Sequence, residues 1–366
     1  MSWRWHHAPR LRGGELLSSA LVQAARQHGH TPWRFTELNW PGNRVWTRDI
    51  DLYPATDIID TWARHGGTDR AELRAATLEG QHDALGGSVN GSPFITSLGV
   101  WHTRRKRHGL AFCPDCLAEA PGLWRKVWRY AFVVSCPRHD RLLSDACPIC
   151  DAPLAPHRNL DPDVDRCDQC RADLRPAQRV ARADAEAVVL QYQLTCSLEA
   201  RLAPMSAQAD AVAASTEAAS LGMEDYRALL GVVANPWTRD ALAVALSVEL
   251  LPRAGGASQV FERARLRWRA ESLLLVQRWS AEWPGGFLKL CRMVGLTQRA
   301  FARTRPGQAV LDAIRSLPER RRYNRMHPPL VHDAETRRVR RRDPAAYREC
   351  RADRLLRHAS TAVPSG

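Results

Sequence analysis

The chain has 366 residues, 45% of them hydrophobic, with a formal net charge of +14 and a pI near 9.9. That is enough chain for a sizeable core and for two or three domains. No run of about eighteen apolar residues occurs, which excludes a membrane-spanning helix, and the charge favours a polyanionic partner, of which nucleic acid is the commonest.

Of the 53 basic residues only Lys106, Lys126 and Lys289 are lysines. Arginine suits bidentate contacts to phosphate and guanine, although genomic codon bias would produce the same ratio. The opening MSWRWHHAPRLRGG lacks the apolar segment of a signal peptide. Seven of the ten cysteines sit in C-x-x-C or C-x-x-H pairs. They read as metal thiolates in a reducing cytoplasm rather than as a secreted disulfide framework. Cys196, Cys291 and Cys350 stand alone.

In chain order, Glu15 to His28 has apolar residues at helical spacing, with Gly29 as its stop. Thr31-Pro32 then supplies an N-cap and a first-turn proline for a second helix. A loop with Trp40, Pro41, Gly42 and Trp46 follows and ends in WTRDID at 46–51. Residues 56–79 outline a helix-turn-helix. One helix carries Ile58, Ile59, Trp62 and Ala63, Gly66-Gly67-Thr68 makes the turn, and a second runs through Leu73 and Ala76 to Leu78. On it Arg70 and Arg74 lie one turn apart, placed to meet phosphates. Gly80 to Pro93 reads as a loop.

The run Trp101-His102-Thr103-Arg104-Arg105-Lys106-Arg107-His108 is a candidate phosphate-binding strip. Then come CPDC, nineteen residues, CPRH, seven residues, CPIC, sixteen residues and CDQC, all within 58 residues. Each pair can form a knuckle that aims two side chains at one ion. Four pairs therefore fit two tetrahedral sites. The candidate ligands are Cys113, Cys116, Cys136, His139, Cys147, Cys150, Cys167 and Cys170. Sequential pairing puts the first four on one zinc and the last four on another; an interleaved cross-brace is the alternative. Both sites would be closed and structural, because a catalytic zinc keeps a position open for water. In the spacer, Trp124, Val127 and Trp128 share a helical face and read as core, while Arg125, Lys126 and Arg129 fall elsewhere and could meet an anion. From Tyr130 the residues suggest a strand leading into Cys136.

Asp184 to about Leu202 is helical by period. Ala203 to Leu221 reads as a linker or a loosely held helix. Met223 to Val233 is a short helix that Asn235-Pro236 breaks. Ser258 to about Trp283 is the longest helical candidate, stopped by Pro284-Gly285-Gly286, and Phe287 to Val294 starts another. From 319 to 357 there are 13 arginines against six acids. The clusters include Arg337, Arg338, Arg340, Arg341 and Arg342, an arm that could grip phosphates without sequence preference. The expected architecture is mainly α with a small α+β double zinc-finger module. It comprises an N-terminal helical, helix-turn-helix-like domain over 1–100, the zinc module over 101–175, a C-terminal all-α domain over 176–318 and an Arg-rich tail over 319–366.

The string FCPDCL, then WRKVWRYAFVVSCPRHDRLL, then CPIC resembles the TniQ/TnsD family of transposon target-site selectors. ELLSSALVQAARQHGHTPWRF and WTRDID upstream, and WSAEWPGGF at 279–287, resemble it more loosely. The resemblance implies a non-catalytic adaptor with two structural zinc ions on the eight ligands named above. Such adaptors bind target DNA or dock onto a CRISPR guide-RNA effector complex. They then recruit an AAA+ ATPase regulator and, through it, the transposase; some are homodimers. No P-loop, H-E-x-x-H, G-x-S-x-G or deaminase pattern points to an enzyme. The competing class is a zinc-containing DNA-binding transcription regulator.

Overall fold

In the computed structural model, residues 4–7, 10–88, 91–175, 182–203, 221–251 and 260–319 are described. The tail arginines Arg337, Arg338, Arg340, Arg341 and Arg342, and nearly all of the 203–221 linker, lie outside them.

Local signals set the first helices. In α1 (Leu17–Gln27) the residues Leu17, Ala20, Leu21, Ala24 and Ala25 recur at helical spacing, and all are buried. The helix stops where Gly29 takes a φ of 70°. There Gly29 N donates to Arg26 O and His30 N to Ala25 O, the paired bonds of a Schellman ending. Helix α2 (Pro32–Asn39) starts at Thr31, whose hydroxyl accepts from Arg34 N at 3.2 Å. The tryptophan loop folds back on it, with Trp46 Nε1 donating to Thr36 Oγ1 at 3.1 Å. Helix α3 (Thr56–Gly66) brings Ile58, Ile59 and Trp62 into a core shared with Trp5, Phe35 and Trp40.

Past α3 the chain departs from the sequence reading. The second helix of the outlined helix-turn-helix, α4 (Arg70–Ala75), has only six residues, capped by Asp69. Part of the expected loop from Gly80 is helical, as α5 (Glu79–Ala84). Tertiary support overrides the glycine: Leu78 N bonds Asp51 O, Thr77 Oγ1 accepts from Glu79 N, and α5 packs on a later helix, α7 (Ala185–Leu202).

Two short antiparallel hairpins follow, β1 (Val100–Trp101) with β2 (Arg104–Arg105), and β3 (Ser135–Cys136) with β4 (Arg141–Leu142). Between them runs α6 (Pro114–Glu119). The tryptophan spacer is a 3₁₀ turn over Lys126–Arg129 rather than an α-helix. Trp124 and Trp128 are buried as expected of core, but the tighter turn leaves Val127 36% exposed. The expected strand from Tyr130 shrinks to β3 and a single bridge between Tyr130 and Ile95. Gln191 of α7 clamps that region: its Oε1 accepts from Val134 N (2.7 Å) and Ser135 N (2.9 Å), and its Nε2 donates to Ser135 O (3.0 Å).

All of these elements lie in one compact unit, residues 1–216 with 260–270. The sequence boundary at residue 100 falls inside it, because the N-terminal helices and the cysteine region are interwoven. Leu16 N bonds Trp124 O, Ser19 Oγ donates to Gly122 O at 2.8 Å, and Val164 joins the N-terminal core. Gly122, at φ 72°, sits in this seam, where an added Cβ would collide with Gln23 and Val164.

The 260–270 segment joins the unit from far along the chain. Glu262 Oε1 accepts from Phe94 N at 2.9 Å. Asp145 Oδ2 accepts from Leu266 N at 2.7 Å, satisfying an orphan N–H in the first turn of α10 (Leu266–Ser280). Arg265 bridges Asp145 and Asp151. Asp145→Ala is therefore expected to cost about 1–2 kcal/mol in urea unfolding, the value of a lost helix cap; an unchanged midpoint would contradict this role.

The second unit comprises 217–259 and 271–366. Its described part is all-helical: α8 (Met223–Val233), α9 (Pro236–Ala245), the remainder of α10, α11 (Gly285–Met293), α12 (Gln298–Phe301) and α13 (Gln308–Ile314). Asn235-Pro236 ends α8 and also starts α9, since Asn235 Oδ1 accepts from Trp237 N at 2.9 Å. Trp279, Phe287 and Phe301 form its aromatic core, with Trp279 stacked on Phe287 at 5.0 Å. Buried Arg239 pairs with Glu271 and bonds Ser272 Oγ at 2.8 Å.

Candidate metal centres and cationic surface

The eight sequence-predicted ligands gather into two tetrads, Cys113, Cys116, Cys136, His139 and Cys147, Cys150, Cys167, Cys170. This is the sequential grouping, not the interleaved one. Cys113 caps α6 and Cys116 sits in its first turn, so one helix start presents two thiols. Cys136 ends β3, and the β3–β4 turn returns His139 to face them.

The spacings fit a tetrahedral ion. Nδ1 of His139 lies 3.4 Å from Cys113 Sγ, 3.4 Å from Cys116 Sγ and 3.5 Å from Cys136 Sγ, and the Cys116 and Cys136 sulfurs are 3.6 Å apart. In the second tetrad Cys147 and Cys170 are 3.6 Å apart, and Cys150 and Cys167 3.7 Å. An ion with sulfur at about 2.3 Å and nitrogen at about 2.0 Å needs edges of about 3.8 Å between sulfurs and about 3.5 Å between sulfur and nitrogen. A disulfide would need about 2.0 Å. Four strong donors close each site, so these arrangements hold structure together rather than activate water.

The surroundings of the first tetrad were not legible from ligand spacing. His139 Nε2 faces Glu119 Oε1 at 2.9 Å, which orients the ring so that Nδ1 meets the sulfurs. Glu119 also pairs with Arg138 at 2.8 Å, and Asp115 with Arg141 at 2.6 Å. The two tetrads differ in depth. Cys113, Cys116 and Cys136 are at most 2% exposed, whereas Cys150 and Cys170 are at the surface.

With that geometry in hand, comparison with known families matches residues 7–143 to TniQ. That segment is similar to the TniQ family. The match spans the N-terminal helices and the whole first tetrad, and ends before Cys147. Neither CPIC nor WSAEWPGGF lies inside it. No curated protein matches the chain. Among the described residues, no helix is long and apolar enough to cross a membrane.

The cations expected to meet nucleic acid fall into distinct situations. Arg129 is a correction. It has no exposed surface; its guanidinium holds Asp49 at 2.6 Å and lies 3.6 Å from Asp51. The 3₁₀ turn rotates it inward, where an α-helix would have kept it out. Arg70 pairs with Asp60 at 2.6 Å and Arg74 with Glu79, so both arginines of the second helix in that outline already have carboxylates. Lys126 Nζ donates to Ala75 O at 2.7 Å, at the carbonyl end of α4, and burial lowers its pKa. Arg125 is half-buried, its backbone bridged to Glu15. Arg107 donates to Ser97 Oγ at 2.8 Å, and burial lowers its pKa too. Arg105 is half-buried and donates to Leu154 O at 3.2 Å, and desolvation pushes its pKa down to about 10. Arg104 and Lys106 alone of this set are exposed without an acidic partner among the described residues. Lys106 Nζ sits 3.6 Å over the Trp101 ring. Sequence reasoning missed Arg158, which the fold brings beside Arg104 and Arg105; a single arginine in a loop carries no pattern to find it by.

Proposed function

We propose that the protein selects target sites for a DNA transposon. The TniQ match over 7–143 is the observation that carries this reading, since it supports a transposon-associated target-selection role in general. In this reading the chain is a non-catalytic cytoplasmic adaptor. It binds target DNA or docks onto a CRISPR guide-RNA effector complex, alone or as a homodimer. It then recruits an AAA+ ATPase regulator, which brings in the transposase. Each tetrad holds a zinc ion: thiolate-rich, closed tetrahedral donor sets suit that metal. Zinc there supplies folding free energy to a region of knuckles and two-residue strands. The net charge of +14 supports a nucleic-acid partner.

The transcription-regulator reading shares the metal sites and the charge and adds the helix-turn-helix outline at 56–79. A six-residue α4 with both arginines on carboxylates gives it no observation of its own.

The test is reconstituted insertion with the cognate ATPase, transposase and donor DNA. Directed insertion is expected to disappear when this protein is left out, and the ATPase to co-purify with it. Insertion at the same sites without the protein would refute the reading.

A further inference from the structure

Hairpin β1–β2 carries a surface that the family match does not explain. Trp101 is directly opposite Arg104 in the register, so the two side chains share one face. Lys106, two residues past Arg104, alternates back to that face and covers one side of the indole. Trp101 is 55% exposed, among the larger apolar surfaces in the described chain. An exposed indole flanked by two cations without acidic partners pairs a stacking surface with positive charge.

Beside this face lies an open groove of about 280 Å³, lined by Arg104, Arg105, Arg158, Asp168 and Gln169 with three small apolar residues. That is just under the roughly 300–1,000 Å³ of drug-sized ligand pockets, room for one unit of a polymer rather than for a large ligand. Three guanidinium groups meet a single carboxylate, so the lining is net positive. Two polar atoms at its wall are buried without a hydrogen-bond partner, Arg158 Nε and Asp168 Oδ1. The Asp168 side chain is 3% exposed; its Oδ2 accepts from Gln169 Nε2 and lies 3.5 Å from Arg158 Nε, an ion pair too long and bent for a hydrogen bond, while Oδ1 has no partner. A buried acceptor left open next to buried donors is a place where a ligand finds both kinds of bond.

We propose that this groove and the Trp101 face form a site for unpaired nucleotides of a nucleic-acid strand. The arginines take the phosphate. The exposed part of the Trp101 ring, which His102 also approaches with centroids 4.9 Å apart, stacks on a base, as the aromatic platforms of single-strand binders do, and Asp168 accepts from base or sugar donors. A base in an intact duplex is already stacked and cannot lie flat on an indole without being extruded. A strip of cations alone would favour neither form. The inference rests on the target-selector reading for its polyanionic partner, and it adds the form of strand and the residues that hold it.

The experiment uses the full chain, with metal content checked in every variant. Fluorescence anisotropy compares a labelled oligothymidylate with a duplex of equal length, across a salt series. Trp101→Ala is expected to weaken the single strand by roughly tenfold and the duplex far less. Arg104→Ala and Arg158→Ala are expected to flatten the salt dependence by about one unit of slope each. Equal losses on both forms, or an unchanged single-strand affinity in Trp101→Ala, would overturn the proposal. The outcome separates from the wider reading: directed insertion that persists while Trp101→Ala binds normally removes the groove and leaves the selector. A working groove in a protein dispensable for insertion removes the selector alone.

Discussion

Cys116→Ser is expected to leave the first unit unfolded, whereas Cys170→Ser loses one metal ion and keeps most of that unit standing. The difference follows from depth. Cys116 is 1% exposed on α6, beside Leu117 at 0%, and Phe112 and Trp124 face each other at 5.8 Å in the same buried stretch. Without an ion, three sulfurs and an imidazole would have to stay within 4.8 Å of one another in a largely buried setting. Structural zinc contributes about 10–16 kcal/mol in isolated fingers, comparable with the whole stability of a domain, about 5–15 kcal/mol. Losing it cannot be absorbed locally, because the α1 start and the 91–96 segment both bond into the spacer between the first ligand pairs. Cys170 ends an exposed knuckle, with fewer buried neighbours to lose. Atomic emission should read two metal ions per chain in the natural protein and one in Cys170→Ser. Near-ultraviolet dichroism should report lost tryptophan packing in Cys116→Ser alone. A folded Cys116→Ser with two ions would refute the assignment of the first tetrad.

The tetrads were legible because knuckle geometry is local: two residues between ligands make a turn, and the spacing declares it. The same holds for Gly29, Thr31-Pro32 and Asp184, whose effects act within one helical turn. Contacts made across the chain left no such mark. Asp145 reaches Leu266 and Arg129 reaches Asp49, and neither acid has a spacing that points to its partner. Helix α5 was missed for a related reason, since its support comes from Asp51 and α7 while its own residues include glycine. The cationic strip was legible as charge but not as geometry. Which of Arg104, Arg105, Lys106 and Arg107 stays free depends on hairpin alternation and on acceptors at Leu154 and Ser97.

Arg129→Ala is expected to destabilise the first unit by about 3–5 kcal/mol, the cost of removing one partner from a buried ion pair. The side chain is wholly buried and fully engaged. Besides Asp49 and Asp51, its Nη2 donates to Thr96 O at 2.9 Å and its Nε to Thr96 Oγ1 at 3.3 Å. Burial works against its charge, yet Asp49 and Asp51 hold its pKa above the usual value. The acids need it equally. Asp51 is 1% exposed and accepts from Ser18 N and Ser18 Oγ, both at 2.7 Å, at the start of α1. Burial, then repulsion from Asp49, already pushes the Asp51 pKa up. Truncating Arg129 leaves two neighbouring carboxylates without their counter-charge and raises it further. An acid whose folded pKa is raised is most stabilising when protonated, and that stability falls as pH rises from the unfolded to the folded pKa. The deficit of Arg129→Ala relative to the natural protein should therefore be largest at neutral pH and narrow as the pH is lowered. Arg129→Lys should fall between the two, since it keeps the charge but loses the fork that holds both acids and Thr96. Urea midpoints for the three proteins at several pH values test this. A deficit independent of pH would mean that lost packing, and not the uncompensated carboxylates, sets the cost.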